Sequence, residues 1–154
     1  SNQKFELKNA SYDSKNKVSL ISMEIFNDTG SLMITWRVKK SKEVLHRKLS
    51  NLKHNGKRIV SIGATSKSTT VFNYCGIDSS LIDCITDTTP DKQGLLAPGS
   101  HIPVVDRESV NLNDYDYAFL GAWNFKSVIA NKESEFVKNG GKFITHVPEV
   151  MDFS

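Results

Sequence analysis

The sequence contains no run approaching 18 consecutive apolar residues, so no membrane-spanning helix is expected. It has two cysteines, Cys75 and Cys84. Two are too few for a disulfide framework or a cysteine metal quartet, and each lies in an apolar run, which reads as a reduced thiol in a core. Histidines are also few. His46 and His54 have no partner motif, His101 and His146 stand apart, and no Ser-His-Asp order or metal-ligand spacing is present. Neither a catalytic constellation nor a metal site is therefore expected. Repeats and low-complexity tracts are missing. Ser1-Asn2 resemble the remnant of an expression tag, no apolar stretch follows them as a signal peptide requires, and a cytoplasmic location is expected.

Charge is distributed unevenly. Residues 1–58 carry 13 Lys and Arg against 5 Asp and Glu, net +8, whereas residues 59–154 carry 7 against 12, net −5. Two halves of opposite sign suggest two structural units or a basic face for a partner. The basic stretch 37–58 has few interleaved aromatics and fits no nucleic-acid-binding module, so a solvated helix face is the better reading and nucleic acid is not an expected partner.

Residues 18–26 are apolar and rich in β-formers, Asn27-Asp28-Thr29-Gly30 signals a turn, and 31–38 alternate, which predicts a β-hairpin over 18–38. Ser41 can cap a helix to about Asn55, with Leu45, Leu49 and Leu52 forming one stripe. From there short apolar strands alternate with helices. Strands are predicted at 58–62, 81–86, 102–105, 117–122 and 142–147, with helices at about 66–75 and, capped by Asn124, 125–138. Such alternation predicts an α/β fold, a three-layer Rossmann-like domain with a mostly parallel sheet and right-handed crossovers. The expected division is an N-terminal segment, 1–40, bearing the hairpin, and a Rossmann-like domain, 41–154.

In such sheets ligands bind beyond the carboxyl ends of the strands, at the switch point. Three segments qualify. The first, Gly63-Ala64-Thr65-Ser66-Lys67, enters a helix, whose free N–H groups and dipole favour an anion. It has one glycine rather than GxGxxG and no GK[ST], so an anion site and a plain strand-to-helix turn capped by Thr65 or Ser66 are about equally supported. The second, DTTPDKQGLLAPGSHIP, opens with Asp87, 24 residues past Gly63, close to the spacing of the acidic residue that accepts a ribose hydroxyl in dinucleotide folds. It carries Lys92, Gln93, Pro98, Gly99 and His101 on a proline-stiffened frame, which favours binding because less freedom is lost. The third, Trp123-Asn124, offers a stacking face and an amide, or else a packed Trp and a helix cap. His146, in the last strand, is either a satisfied core histidine or faces the cleft.

The segments SIGATSKSTTVFNYCGI, DTTPDKQGLLAPGSHIPV, FLGAWNF and NGGKFITHVPEV, in this order over residues 56–150, resemble the C-terminal domain of the S-adenosylmethionine-dependent sugar C-methyltransferases. Those enzymes methylate a carbon of a nucleotide-linked keto sugar. Upstream, NDTGSLMITW resembles the strand-closing end of the family's methyl-donor domain, with Thr29 where a glycine is usual. The resemblance assigns a zinc-binding region, a donor-binding domain and the catalytic His and Tyr to parts of the enzyme that these residues do not match. It therefore implies a nucleotide-sugar-binding domain, inactive alone, with no cofactor of its own and S-adenosylmethionine bound by a methyl-donor domain of the same or another chain. The implied partner is a nucleotide-linked sugar such as a dTDP-sugar, in deoxysugar biosynthesis. Carried over by position, Gly63–Lys67 lie near the diphosphate, and Asn73, Tyr74, the Asp87–His101 loop and Trp123-Asn124 line the cleft. Two other readings remain open at this point: an NAD(P)-type dinucleotide-binding module, and a non-catalytic interaction domain with 37–58 as a basic docking face.

Overall fold

A computed structural model describes residues 7–8, 11–13, 18–20, 24–25 and 31–154, with side chains from Val38 onward. The chain divides into two compact units, Ser1–Lys42 and Glu43–Ser154.

In the first unit, strand β1 (Leu7–Lys8) pairs antiparallel with β4 (Glu24–Ile25), and β2 (Ser11–Asp13) pairs antiparallel with β3 (Val18–Leu20). Antiparallel pairing thus precedes the α/β unit, but between other segments than the expected 18–38 hairpin. Residues 31–38 are not its second arm; they open helix α1 (Ser31–His54), and the expected turn at 27–30 lies outside the described residues. The reason is visible in the pattern. The alternating set Leu32, Ile34, Trp36 and Val38 also contains two i, i+4 pairs, so eight residues of alternation fit a helix as well as a strand. Helix-forming Lys39 to Leu52 follow directly, and extending a helix costs far less than nucleating one. Ser41 is accordingly inside α1 rather than at its cap.

The second unit is a six-stranded sheet in the order β10-β9-β8-β5-β6-β7, built from β5 (Ile59–Ile62), β6 (Cys84–Asp87), β7 (Val104–Asp106), β8 (Tyr117–Leu120), β9 (Lys142–Thr145) and β10 (Met151–Phe153). All pairings are parallel except that of β10 with β9. Counted from β5, the order is 3-2-1-4-5-6, the doubly wound arrangement. The strands are short and apolar because both faces are covered. Ile59, Ile85, Phe119 and Ile144 pack under α1 and helix α2 (Ser66–Cys75), against Leu45, Leu49 and Phe72. Val60, Ala118, Leu120 and Phe143 pack on the other side against Leu112 and Phe136. There the expected single helix 125–138 is a 3-10 turn, Trp123–Phe125, then α3 (Lys126–Lys132) and α4 (Ser134–Lys138).

Several basic residues find partners in the acidic half. Lys53 and Arg58 pair with Asp83, Lys57 with Asp116, and Lys48 with Asp152. These pairs account for part of the opposite charge of the two halves without a macromolecular partner. Among the described residues, no helix is long and apolar enough to cross a membrane.

Candidate functional site

The switch point lies between β5 and β8, where the order reverses. The loops leaving these two strands meet above it. After β5 the backbone turns at Gly63, whose φ of 89° is a left-handed value that suits glycine. Helix α2 then starts in a reciprocal cap: Ser68 N donates to Thr65 Oγ1 at 3.1 Å and Thr65 N donates to Ser68 Oγ at 3.0 Å. Gly121, at the end of β8, is close to this turn, since a Cβ there would lie 2.5 Å from Ser68 Cβ.

Most N–H groups of the loop are used internally. Gly63 N donates to Thr86 O at 2.8 Å, and Ala64 N donates to Asp87 Oδ2 at 2.8 Å. With Thr65 and Ser68 committed to the cap, the N–H groups of Ser66 and Lys67 are left without a partner among the described residues. Of the two readings the sequence left open, the capped turn is present, and the same helix start leaves two N–H groups unpaired among the described residues. Beside them Lys67 reaches across the switch point. Its Nζ donates to Asn124 Oδ1 at 2.8 Å and lies 5.5 Å from the centre of the Trp123 ring. Asn124 is thus not the cap of the following helix, which begins after Phe125 without a side-chain cap.

Asp87 has a different place from the one its spacing suggested. It is 9% exposed, and both its oxygens face inward. Oδ2 accepts from Ala64 N and from Lys92 Nζ at 3.3 Å, and Oδ1 accepts from Thr89 N at 2.8 Å. Burial alone would raise its pKa, but the hydrogen bonds from Thr89, Ala64 and Lys92 outweigh it and hold the carboxyl below its ordinary value. Lys92 also donates to Ala64 O at 2.9 Å, and Gln93 Nε2 bridges Asp87 O and Asp106 Oδ1. Asp87 and Lys92 fasten the loop after β6 to the loop after β5, and Gln93 ties it to the end of β7.

The remaining sequence candidates lie elsewhere. After residue 93 the chain descends beside β7, turns at Pro98–His101 and returns, as the Ala97–Ile102 and Leu95–Val104 hydrogen bonds record. The turn packs on the last turn of α2, where Asn73 Nδ2 donates to Pro98 O at 2.9 Å. Gly99 is in van der Waals contact with the Asn73 amide, and a Cβ there would lie 2.1 Å from its Oδ1. Asn73, Tyr74, Pro98, Gly99 and His101 therefore gather at the amino end of the sheet, roughly 10 Å of helix away from Ser66. His101, with φ 54°, is exposed at this turn. His146 is stacked on Phe119 at a centroid distance of 5.6 Å, and burial pushes its pKa down.

A feature the sequence did not signal lies on the α3 side of the sheet. A pocket of about 150 Å³ opens between the ends of β5 and β6 and α3, lined by Ile62, Thr86, Thr88, Ile129 and a doubly bonded Arg107–Glu133 pair. No spacing rule marks it, because its walls come from four separate segments. Among the described residues no group of His, Cys, Asp and Glu is placed to hold a metal ion.

Comparison with known proteins fits this architecture. C-methyltransferase NovU of Streptomyces niveus is 39% identical over 95 residues. That match spans 62% of this chain but 23% of the relative's length. The sequence model of the C-methyltransferase C-terminal domain matches residues 23–148, most of the chain, and the protein belongs to that family.

Proposed function

We propose that this domain binds the nucleotide diphosphate of a nucleotide-linked keto sugar on behalf of an S-adenosylmethionine-dependent C-methyltransferase. The observation that carries this reading is Lys67, held across the switch point by Asn124 against Trp123, next to the two unpartnered N–H groups of α2. A helix start plus an exposed ammonium suits a diphosphate, and the indole and amide beside it suit a sugar.

Methylating carbon requires a base to form the enolate and a sulfonium in line with that carbon. The residues gathered at the switch point offer neither role. Their contribution is binding energy from the remote diphosphate, which orients the sugar for groups elsewhere in the enzyme. The domain alone is accordingly proposed to be inactive, with its donor site and base in a methyl-donor domain. Titration of the chain with dTDP and with S-adenosylmethionine tests this. Binding of dTDP alone supports the reading, and binding of the methyl donor with no response to dTDP would overturn it.

The dinucleotide reading draws on the 3-2-1-4-5-6 strand order. Against it stand the single glycine and an Asp87 carboxylate already committed to Ala64, Thr89 and Lys92.

A further inference from the structure

The pocket on the α3 side is separate from the Lys67 cluster, yet the two share Gly63 as a border. Gly63 lines the pocket through one face and leads into the N-terminus of α2 through the other. At about 150 Å³ the pocket is smaller than the roughly 300–1,000 Å³ of sites that enclose a whole ligand. It has room for a single ring system and not for a nucleotide sugar. Its walls suit a flat, partly polar ring. Ile62 and Ile129 supply aliphatic surface, while Thr86, Thr88, the Arg107–Glu133 pair, Asp87 and Lys132 make the remaining walls polar. The guanidinium and carboxylate are held rigidly, with Arg107 Nη2 2.6 Å from Glu133 Oε2, Nε 3.2 Å from Oε1, and Nη1 donating to Val110 O at 2.9 Å. Arg107 and Glu133 are 19% and 13% exposed, so the fork is fixed before any ligand arrives. A ligand whose ring sits here and whose anionic part passes over Gly63 meets the free N–H groups of Ser66 and Lys67.

We infer that the pocket bounded by Ile62, Thr88, Arg107, Ile129 and Glu133 is a nucleobase site, so that a nucleoside diphosphate straddles Gly63 with its base on the α3 side and its phosphates at α2. This inference rests on the nucleotide-binding reading above and adds the place of the base. The base could come from a sugar nucleotide or from a dinucleotide, and the choice is experimental. Ile129 is half-buried on the short helix α3, so Ile129→Trp fills the pocket from its rim without replacing a fully buried side chain.

The test is calorimetric titration of the 154-residue chain and its Ile129→Trp variant with dTDP, inorganic pyrophosphate and NADH, with melting curves of both proteins. Saturation-transfer NMR of dTDP on the unaltered chain supplies a readout free of any substitution. The expected result is at least a tenfold loss of dTDP affinity in the variant, unchanged pyrophosphate affinity, and strongest saturation on the thymine methyl and ring protons. Equal dTDP affinity in both proteins, with saturation confined to the ribose, overturns the base site while leaving nucleotide binding intact. No dTDP binding to the unaltered chain, together with Ile129→Trp-sensitive NADH binding, keeps the base site and assigns it to a dinucleotide. Binding of neither nucleotide overturns both readings.

Discussion

Lys67 and Asp87 sit within a few residues of each other in space and do opposite kinds of work. Lys67 is exposed and makes one hydrogen bond, to the Asn124 amide, so its charge is free to be shared with an incoming anion. Lys67→Ala is expected to weaken dTDP binding about tenfold, close to 1.4 kcal/mol, with an unchanged melting temperature. Unchanged affinity would reduce the loop to a turn. Asp87 is buried, and its carboxylate satisfies two backbone N–H groups and Lys92. Asp87→Ala leaves those donors unpaired and is expected to cost about 2 kcal/mol in urea unfolding. The pH dependence follows from the depressed pKa. The folded carboxyl titrates below the unfolded value of about 3.9, so its stabilisation is present above that pH and is lost as pH falls through the folded value. Stability of the unaltered protein measured from about pH 5 downward should therefore fall more steeply than that of Asp87→Ala.

At the scale of elements, α2 is positioned by its ends. The Thr65–Ser68 cap fixes its start, and Gly76, with φ 66°, closes it while donating to the carbonyls of Phe72 and Asn73. Thr65→Ala removes the side-chain acceptor and is expected to cost about 1 kcal/mol, a fall of roughly 2–4 °C in melting temperature for a protein of this size. A variant with an unchanged melting curve would mean that packing alone sets the helix start. The span of this helix is legible in the sequence, and so is a hydroxyl cap at Thr65 or Ser66, although the same residues fit an anion site equally well. Also legible are the strands buried on both faces and the parallel order they imply. What was not legible were features decided by distant segments. Residues 31–38 fit strand and helix equally in pattern, and the choice fell to the helix that follows. In sequence the 87–101 loop reads as a binding loop on a proline-stiffened frame. The hydrogen bonds of Leu95 with Val104 and of Ala97 with Ile102 fold it back along β7, so its two ends serve different ends of the sheet. Asp87 met the spacing of a ribose acceptor, but its orientation depends on Ala64 and Lys92, which no spacing rule contains.

For the whole molecule, the boundary between the units makes a quantitative difference to how the chain can be divided. The cut between Lys42 and Glu43 leaves the last three turns of α1 with the sheet. Those turns carry Leu45, 1% exposed, and Leu49, fully buried, both packed into the cluster that includes Phe72, Phe119 and Ile144. They also carry Lys48 and Lys53, paired with Asp152 and Asp83. Such partly solvated pairs contribute little beside buried apolar side chains, so the two leucines decide the outcome. Truncating a single buried leucine to alanine costs about 2–5 kcal/mol, and a domain is stable by only about 5–15 kcal/mol in all. Residues 43–154 are therefore expected to unfold cooperatively and to bind dTDP within about twofold of the 154-residue chain, because every group proposed to contact the nucleotide is at Ile62 or beyond it. Residues 56–154, which retain all the strands of the sheet and every proposed contact but lose both leucines, are expected to lack a cooperative transition near 25 °C. Circular dichroism melts and dTDP titrations of the two fragments check this. A folded 56–154 fragment would show that α1 is an attachment to the domain rather than one of its layers.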